Sequence, residues 1–144
     1  MVGIVIVSHS WKVAEGIYDL AMQMAAENEH IIAAGGMEDG SIGTDAMKIQ
    51  EAIEKADTGD GVAVLADLGS GIMSAEMAIE MLESDINVRI ADAPILEGAI
   101  SAAVTSTSGA SLDEVIEAAE EARTASKLSW RFSFTAFSVF HFGE

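Results

Sequence analysis

The chain has 144 residues, half of them hydrophobic, and no cysteine. That length suits one domain with a real core and is too short for two, and the lack of cysteine excludes disulfides, thiolate catalysis and cysteine-built zinc sites. A formal net charge of −17, from 24 acidic against 7 basic residues, repels phosphate backbones and anionic lipids, so neither nucleic acid nor a membrane is an expected partner. No apolar run approaches the roughly 20 residues that span a bilayer, and the N-terminus lacks a basic stretch with a cleavage site, so a cytoplasmic chain without a signal peptide is expected.

Gly3-Ile4-Val5-Ile6-Val7 is short, β-branched and uninterrupted, the pattern of a strand buried on both faces of a parallel sheet. Ser8-His9-Ser10 follows at once, then a helix near 11–27 with Val13, Ile17, Leu20, Ala21 and Met24 on one face. His30 to Ala34 reads as a second strand, and it empties into a glycine-rich loop over 35–43. Thr44 is placed to cap the next helix, whose buried face is Ala46, Ile49, Ile53 and Ala56. After a turn at Thr58-Gly59-Asp60-Gly61, the run Val62 to Ala66 is a third buried strand, ending at Asp67-Leu68-Gly69-Ser70-Gly71. A helix near 72–83 and a short strand over 88–91 come next. Pro94 suits the first turn of a helix running to about 105. Gly109 breaks that helix, and Ser111-Leu112-Asp113-Glu114 is a capping box opening a last helix to about 126.

Strand–helix repetition implies parallel strands joined by right-handed crossovers. The expected fold is therefore α/β, a three-layer open sheet, mainly parallel, in the order 2-1-3-4, with one domain over residues 1–127. The tail over 128–144 is unlike the rest. All five phenylalanines lie between Phe132 and Phe142, with Trp130 just before them. It reads either as an edge strand, swapped onto a partner subunit, or as a foreign end.

In the order 2-1-3-4 the topological switch point lies between strands one and three, and the crevice there is where open α/β sheets bind ligands. Those strands end at Ser8-His9-Ser10 and Asp67-Leu68-Gly69-Ser70, so topology sets His9 beside Asp67. A carboxylate accepting from one ring N–H fixes the imidazole tautomer and leaves the other nitrogen free as a nucleophile. The helix end, the hydroxyls of Ser10 and Ser70, and the backbone at Gly40, Ser41 and Gly69 are the candidate phosphoryl-binding groups. Against these stand plainer readings. Asp67 alone can cap the following helix, and glycine suits any tight connection. Met73, Met77 and Met81 are expected in the core, and Glu76, Glu80 and Glu83 on a solvated face. His30 and His141 lack convergent partners, so no metal site is expected.

The segment Ile4 to Ser10 followed by Ala14-Glu15-Gly16, together with Gly35-Gly36, Gly40 to Thr44, Asp67 to Ser70 with Met73 to Glu76, and Ala91 to Ala99, resembles the phosphotransferase subunits of dihydroxyacetone kinases. That family is related to the mannose-type enzyme IIA domains of the sugar phosphotransferase system. The resemblance covers roughly residues 2–126. It implies a dimeric α/β fold and a histidine, here His9, that accepts phosphoryl from the phosphocarrier HPr. It further implies transfer to ADP held on the nucleotide-binding subunit of the kinase, a homodimer, and no cofactor bound by this subunit itself.

Two other classes remain open on the residues. A response-regulator-like domain would be phosphorylated on Asp67, but it needs an acidic pair after strand one and a lysine late in the sheet; strand one is followed by Ser8-His9-Ser10, and no lysine sits near the end of strand four. A flavin or nucleotide module would use the glycine loop, but no G-x-x-x-x-G-K-[ST] signature exists. A scaffold without chemistry leaves the His9–Asp67 pairing unexplained.

Overall fold

The β-branched runs become strands and the alanine-rich amphipathic runs become helices in a computed structural model that describes residues 1–128. In chain order the elements are β1 (Gly3–Ser8), α1 (Trp11–Met24), β2 (Ile31–Gly35), α2 (Ala46–Ala56), β3 (Val62–Ala66), α3 (Gly69–Glu80), β4 (Val88–Ile90), α4 (Ile95–Thr107) and α5 (Leu112–Glu121). The four strands form one parallel sheet in the order β2-β1-β3-β4, as the alternation of elements implies. The tail reading lies outside the described residues.

β1 is the centre of the sheet, and all six of its residues are buried. Its alternating side chains divide the core. Ile4 and Ile6 join Ala63 and Leu65 in a cluster with Ala14 and Ile17 of α1, Ala99 and Ala102 of α4, and Val115 and Ile116 of α5. Val5 and Val7 join Val62 and Val64 in a second cluster with Ile49 and Ile53 of α2 and Ala75 and Ala78 of α3. Each fully buried aliphatic side chain contributes about 1.5–3 kcal/mol by leaving water. The layers sit close because small residues face the sheet. A Cβ on Gly3 would lie 2.3 Å from the Ala56 carbonyl oxygen, so only glycine lets the end of α2 pack against the start of β1.

Several local expectations shift for identifiable reasons. The buried stripe of α1 is Ala14, Ile17 and Ala21, while Val13 and Leu20 are 45% and 49% exposed; alanines turn inward because β2 approaches closely at Gly35, where an added Cβ would lie 2.7 Å from Ala14 Cβ. Asp45, not Thr44, caps α2, accepting from the N–H groups of Met47 and Lys48. The Thr44 hydroxyl instead meets Ser74 Oγ at 2.6 Å, tying the glycine loop to α3. Pro94 is the N-cap of α4 rather than its first helical residue. α3 starts at Gly69, earlier than the apolar pattern indicates, and its buried positions are Gly71, Ala75 and Ala78. Met73 and Met77 therefore fall on the opposite face, 69% and 56% exposed. The methionines keep helical spacing but do not build the core.

Candidate functional site

β1 and β3 pair in register through Val7 and Ala66, so the residues that follow them leave the sheet side by side. The chain turns into α1 at Ser10, whose side chain accepts from the Val13 N–H as a cap. It turns into α3 at Leu68. His9 and Asp67 meet between the two turns, 20% and 18% exposed.

Asp67 is held by four donors. Its Oδ1 accepts from His9 Nδ1 at 2.9 Å and from the Leu68 N–H at 2.8 Å. Its Oδ2 accepts from the Ser8 hydroxyl at 2.9 Å and from the His9 N–H at 3.0 Å. Burial raises the Asp67 carboxyl, but the bonds from the His9 backbone and ring, Ser8 and Leu68 outweigh it and hold the group below its ordinary value. An ionised Asp67 can only accept, so the shared proton sits on His9 Nδ1. Nε2 is then the nitrogen with the free lone pair, and Ser70 Oγ lies 2.6 Å from it. In the neutral ring Nε2 has no hydrogen to give, and the Ser70 hydroxyl is the donor.

The first turn of α3 lies against that side of the ring through Ser70 and Gly71. Its N-cap Leu68 makes no side-chain cap bond. The N–H groups of Gly71 and Ile72 bond back to the Leu68 carbonyl, while those of Gly69 and Ser70 have no partner among the described residues. Unsatisfied N–H groups at a helix start form an anion site, and the helix dipole adds to it. Gly71 matters here through the side chain it lacks. A Cβ on it would lie 3.2 Å from Asp67 Oδ1, a tight contact, and at an ordinary 3.7 Å from His9 Cε1.

The glycine loop is pinned to the same place by its backbone. Gly36 N–H donates to the Ser8 carbonyl at 3.0 Å and Gly43 N–H to the His9 carbonyl at 2.9 Å. Gly40 has φ +86, which glycine adopts without strain. The Gly40 N–H donates to the Met37 carbonyl, and Ser41 donates both its N–H and its hydroxyl to Asp39 Oδ1. Among the expected site residues, His9, Asp67, Ser70 and Gly69 are thus brought together. Ser10 stands beside them with its oxygen used as a cap. Gly40 and Ser41 spend their donors inside the loop.

Two contributors escape a reading of motifs. Ser8 is fully buried; it donates to Asp67 and accepts from the Ser10 N–H at 3.1 Å, so it locks the carboxylate to the turn that carries His9. Gly71 acts through the side chain it lacks. The only sequence signal for either is adjacency to His9 and Asp67.

A family profile described as "PTS system fructose IIA component" matches residues 3–116. Among curated proteins, the chain is 46% identical over 121 residues to the phosphoryl donor subunit DhaM of PEP-dependent dihydroxyacetone kinase from Escherichia coli, covering 81% of this chain and 26% of that protein. It is 42% identical over 130 residues to the DhaM of Providencia stuartii, covering 87% and 27%. Against a DhaM of Listeria innocua it is 38% identical over 119 residues, covering 81% and 95%. The chain therefore spans about a quarter of the two enterobacterial relatives and nearly all of the Listeria one. Among solved structures, a protein of unknown function superposes with TM-score 0.72 at 35% identity, covering 84% of this chain and 95% of that one. The phosphotransferase component EIIA from Streptococcus agalactiae superposes with TM-score 0.59 at 18% identity, covering 85% and 92%, a likeness of fold.

Proposed function

Because the chain belongs to the EIIA-man family, alongside the DhaM phosphoryl donor subunits, we propose that it is a phosphohistidine relay subunit of a PEP-dependent dihydroxyacetone kinase. His9 accepts phosphoryl from a phosphocarrier of the HPr type and passes it to ADP bound on the kinase's nucleotide-binding subunit. The observation that carries this reading is the orientation of one ring. Asp67 holds the proton on Nδ1, and Nε2 faces the open start of α3.

In the first half-reaction the Nε2 lone pair attacks phosphorus in line with the donor's P–N bond. That bond breaks as Nε2–P forms, and no proton has to leave Nε2 because it carries none. Positive charge developing on the ring is balanced by Asp67, whose oxygens are already saturated with donors and need no rearrangement. The Ser70 hydroxyl leaves Nε2 and turns to a phosphoryl oxygen, and the N–H groups of Gly69 and Ser70 take others. The hydroxyl of Ser10 and the loop at Gly40 and Ser41 are the secondary phosphoryl contacts of the proposal, which Gly40 and Ser41 make by exchanging the bonds they hold inside the loop. In the second half-reaction a terminal oxygen of ADP attacks from the side opposite Nε2, and the lone pair returns to the ring. Phosphoryl transfer asks mainly for such positioning and charge balance.

The exposed apolar side chains Ile42, Met47, Leu68 and Met73 offer the carrier, the acceptor subunit or a second copy of this chain a dry contact surface. The bonds on Asp67 speak against an acyl phosphate there, since each of its oxygens already accepts two donors. Incubation with labelled PEP, enzyme I and HPr tests the proposal. An acid-labile, alkali-stable label on His9, lost in His9→Ala, is expected; a label retained in that variant contradicts it.

A further inference from the structure

Asp67, His9 and Ser70 lie in a chain of hydrogen bonds that a phosphoryl carrier does not by itself require. Asp67 Oδ1 accepts from His9 Nδ1 at 2.9 Å, and the Ser70 hydroxyl donates to His9 Nε2 at 2.6 Å. This is the connectivity of a carboxylate–imidazole–hydroxyl triad, in which the ring takes the hydroxyl proton as the oxygen attacks and the carboxylate holds the tautomer. The oxygen is accessible, because Ser70 is exposed at the second residue of α3. The unpartnered N–H groups of Gly69 and Ser70 lie next to it, donors of the kind that stabilise an oxyanion. Asp67 is fixed by Ser8, Leu68 and the His9 backbone, so the triad stands on two strand ends and a helix start rather than on a mobile loop.

We infer that the unphosphorylated chain has a second reactivity: Ser70 Oγ is a nucleophile toward small activated esters and fluorophosphonates, with His9 as its general base. Oγ adds to the ester carbonyl while its proton passes to Nε2, and the two N–H groups take the oxyanion. Collapse expels the alcohol, which carries away the proton from Nε2, and acyl-Ser70 remains. Water adds to the acyl carbon as its proton passes to Nε2, the bond from that carbon to Oγ breaks, and the proton returns from Nε2 to Ser70 Oγ as the acid leaves. With a fluorophosphonate the Oγ–P bond forms, fluoride leaves, and the proton held by His9 passes to solvent. The open surface around Ser70 selects for small substrates with good leaving groups.

The same geometry keeps Ser70 from attacking a phosphoryl group on His9. An in-line displacement needs the attacking oxygen opposite the leaving nitrogen, and Ser70 Oγ sits against that nitrogen. Phosphorylation of Nε2 also consumes the lone pair that serves as the base. The serine reactivity therefore belongs to the empty carrier, a consequence that rests on the relay reading, whereas the triad does not.

Two probes test the inference on the full chain. With p-nitrophenyl acetate, a burst of one nitrophenolate per chain is expected, with the acetyl group on Ser70 by peptide mass spectrometry. Imidazole can itself be acetylated, so Ser70→Ala decides between the two: loss of the burst supports the triad, and an undiminished burst with acetyl on His9 overturns it. With a fluorophosphonate, labelling at Ser70 is expected, slowed about 10²–10⁴-fold in His9→Gln, the usual contribution of a general base. No label at Ser70, or an equal rate in a His9→Gln protein with native circular dichroism, overturns the proposal. Neither probe involves PEP or HPr, so failure here leaves the relay standing, and failure of the relay assay leaves the triad standing.

Discussion

Two helices begin beside His9, and only one of them has a side-chain cap. α1 is closed by a side chain: Ser10 accepts from the Val13 N–H and has its own N–H taken by Ser8, while the Trp11 and Lys12 N–H groups find no partner among the described residues. α3 is left open: Leu68 offers no side-chain cap, the Gly71 N–H bonds back to the Leu68 carbonyl, and the Gly69 and Ser70 N–H groups, without a partner among the described residues, stand at the turn whose Ser70 hydroxyl meets His9 Nε2. A good N-cap is worth about 1 kcal/mol, so α3 forgoes stability that α1 takes. On the relay proposal, the closed helix start fixes where His9 stands, and the open one binds what His9 carries.

The largest effect on this contrast should come from the carboxylate that both turns share. Asp67→Asn sets an amide N–H₂ or an oxygen of lower basicity against Nδ1. The amide donor favours the tautomer with its proton on Nε2 and removes the nucleophile. Phosphoryl uptake, read by rapid quench, should fall about 10²-fold or more. The variant also has a stability signature. The folded-state value of Asp67 is lowered, so the stability its charge supplies is fully present above the ordinary carboxylate range, about pH 4, and is lost as pH falls through the lowered value. The gap in urea midpoint between wild type and Asp67→Asn should be constant near neutrality and close in acid. A gap that widens in acid would contradict the assignment of Asp67 as the ionised acceptor.

Leu68→Asn closes the open helix. Leu68 already has the extended backbone of a cap, φ −131 and ψ 166, so an Asn there can accept from the first-turn N–H groups. The fold should gain about 1 kcal/mol, while phosphoryl uptake should fall toward the roughly 10²-fold loss that follows removal of one preorganised donor. A gain in stability with unchanged uptake would remove the α3 N–H groups from the mechanism. Ser10→Ala opens the closed helix and should do the smallest harm. A stability loss of about 1 kcal/mol is expected, with a smaller drop in uptake than in Ser70→Ala; an equal drop would promote Ser10 from cap to phosphoryl ligand.

How far the sequence reaches can be judged from particular residues. The sheet order and the meeting of His9 with Asp67 were legible, because parallel β-branched strands in the order β2-β1-β3-β4 bring the ends of β1 and β3 together whatever the side chains do. Helix faces were less legible. In α1 the expected Ile17 and Ala21 are buried beside Ala14 while Val13 and Leu20 face outward, and in α3 small residues face the sheet while Met73 and Met77 face outward, so hydrophobicity alone rotates α1 partway and turns α3 the wrong way. Close packing ranked size above apolar character there. Ser8 and Gly71 were illegible for a different reason. One acts by a buried hydroxyl and the other by an absent Cβ, and neither leaves a mark in residue type.

The central claim is that Asp67 keeps the proton on Nδ1 and leaves Nε2 to carry phosphoryl. Nitrogen-15 and phosphorus-31 NMR of the phosphorylated chain, with labelled histidine, reads which nitrogen is bonded to phosphorus. The account predicts phosphorus on Nε2 of His9, and a signal from phosphorus on Nδ1 would contradict it.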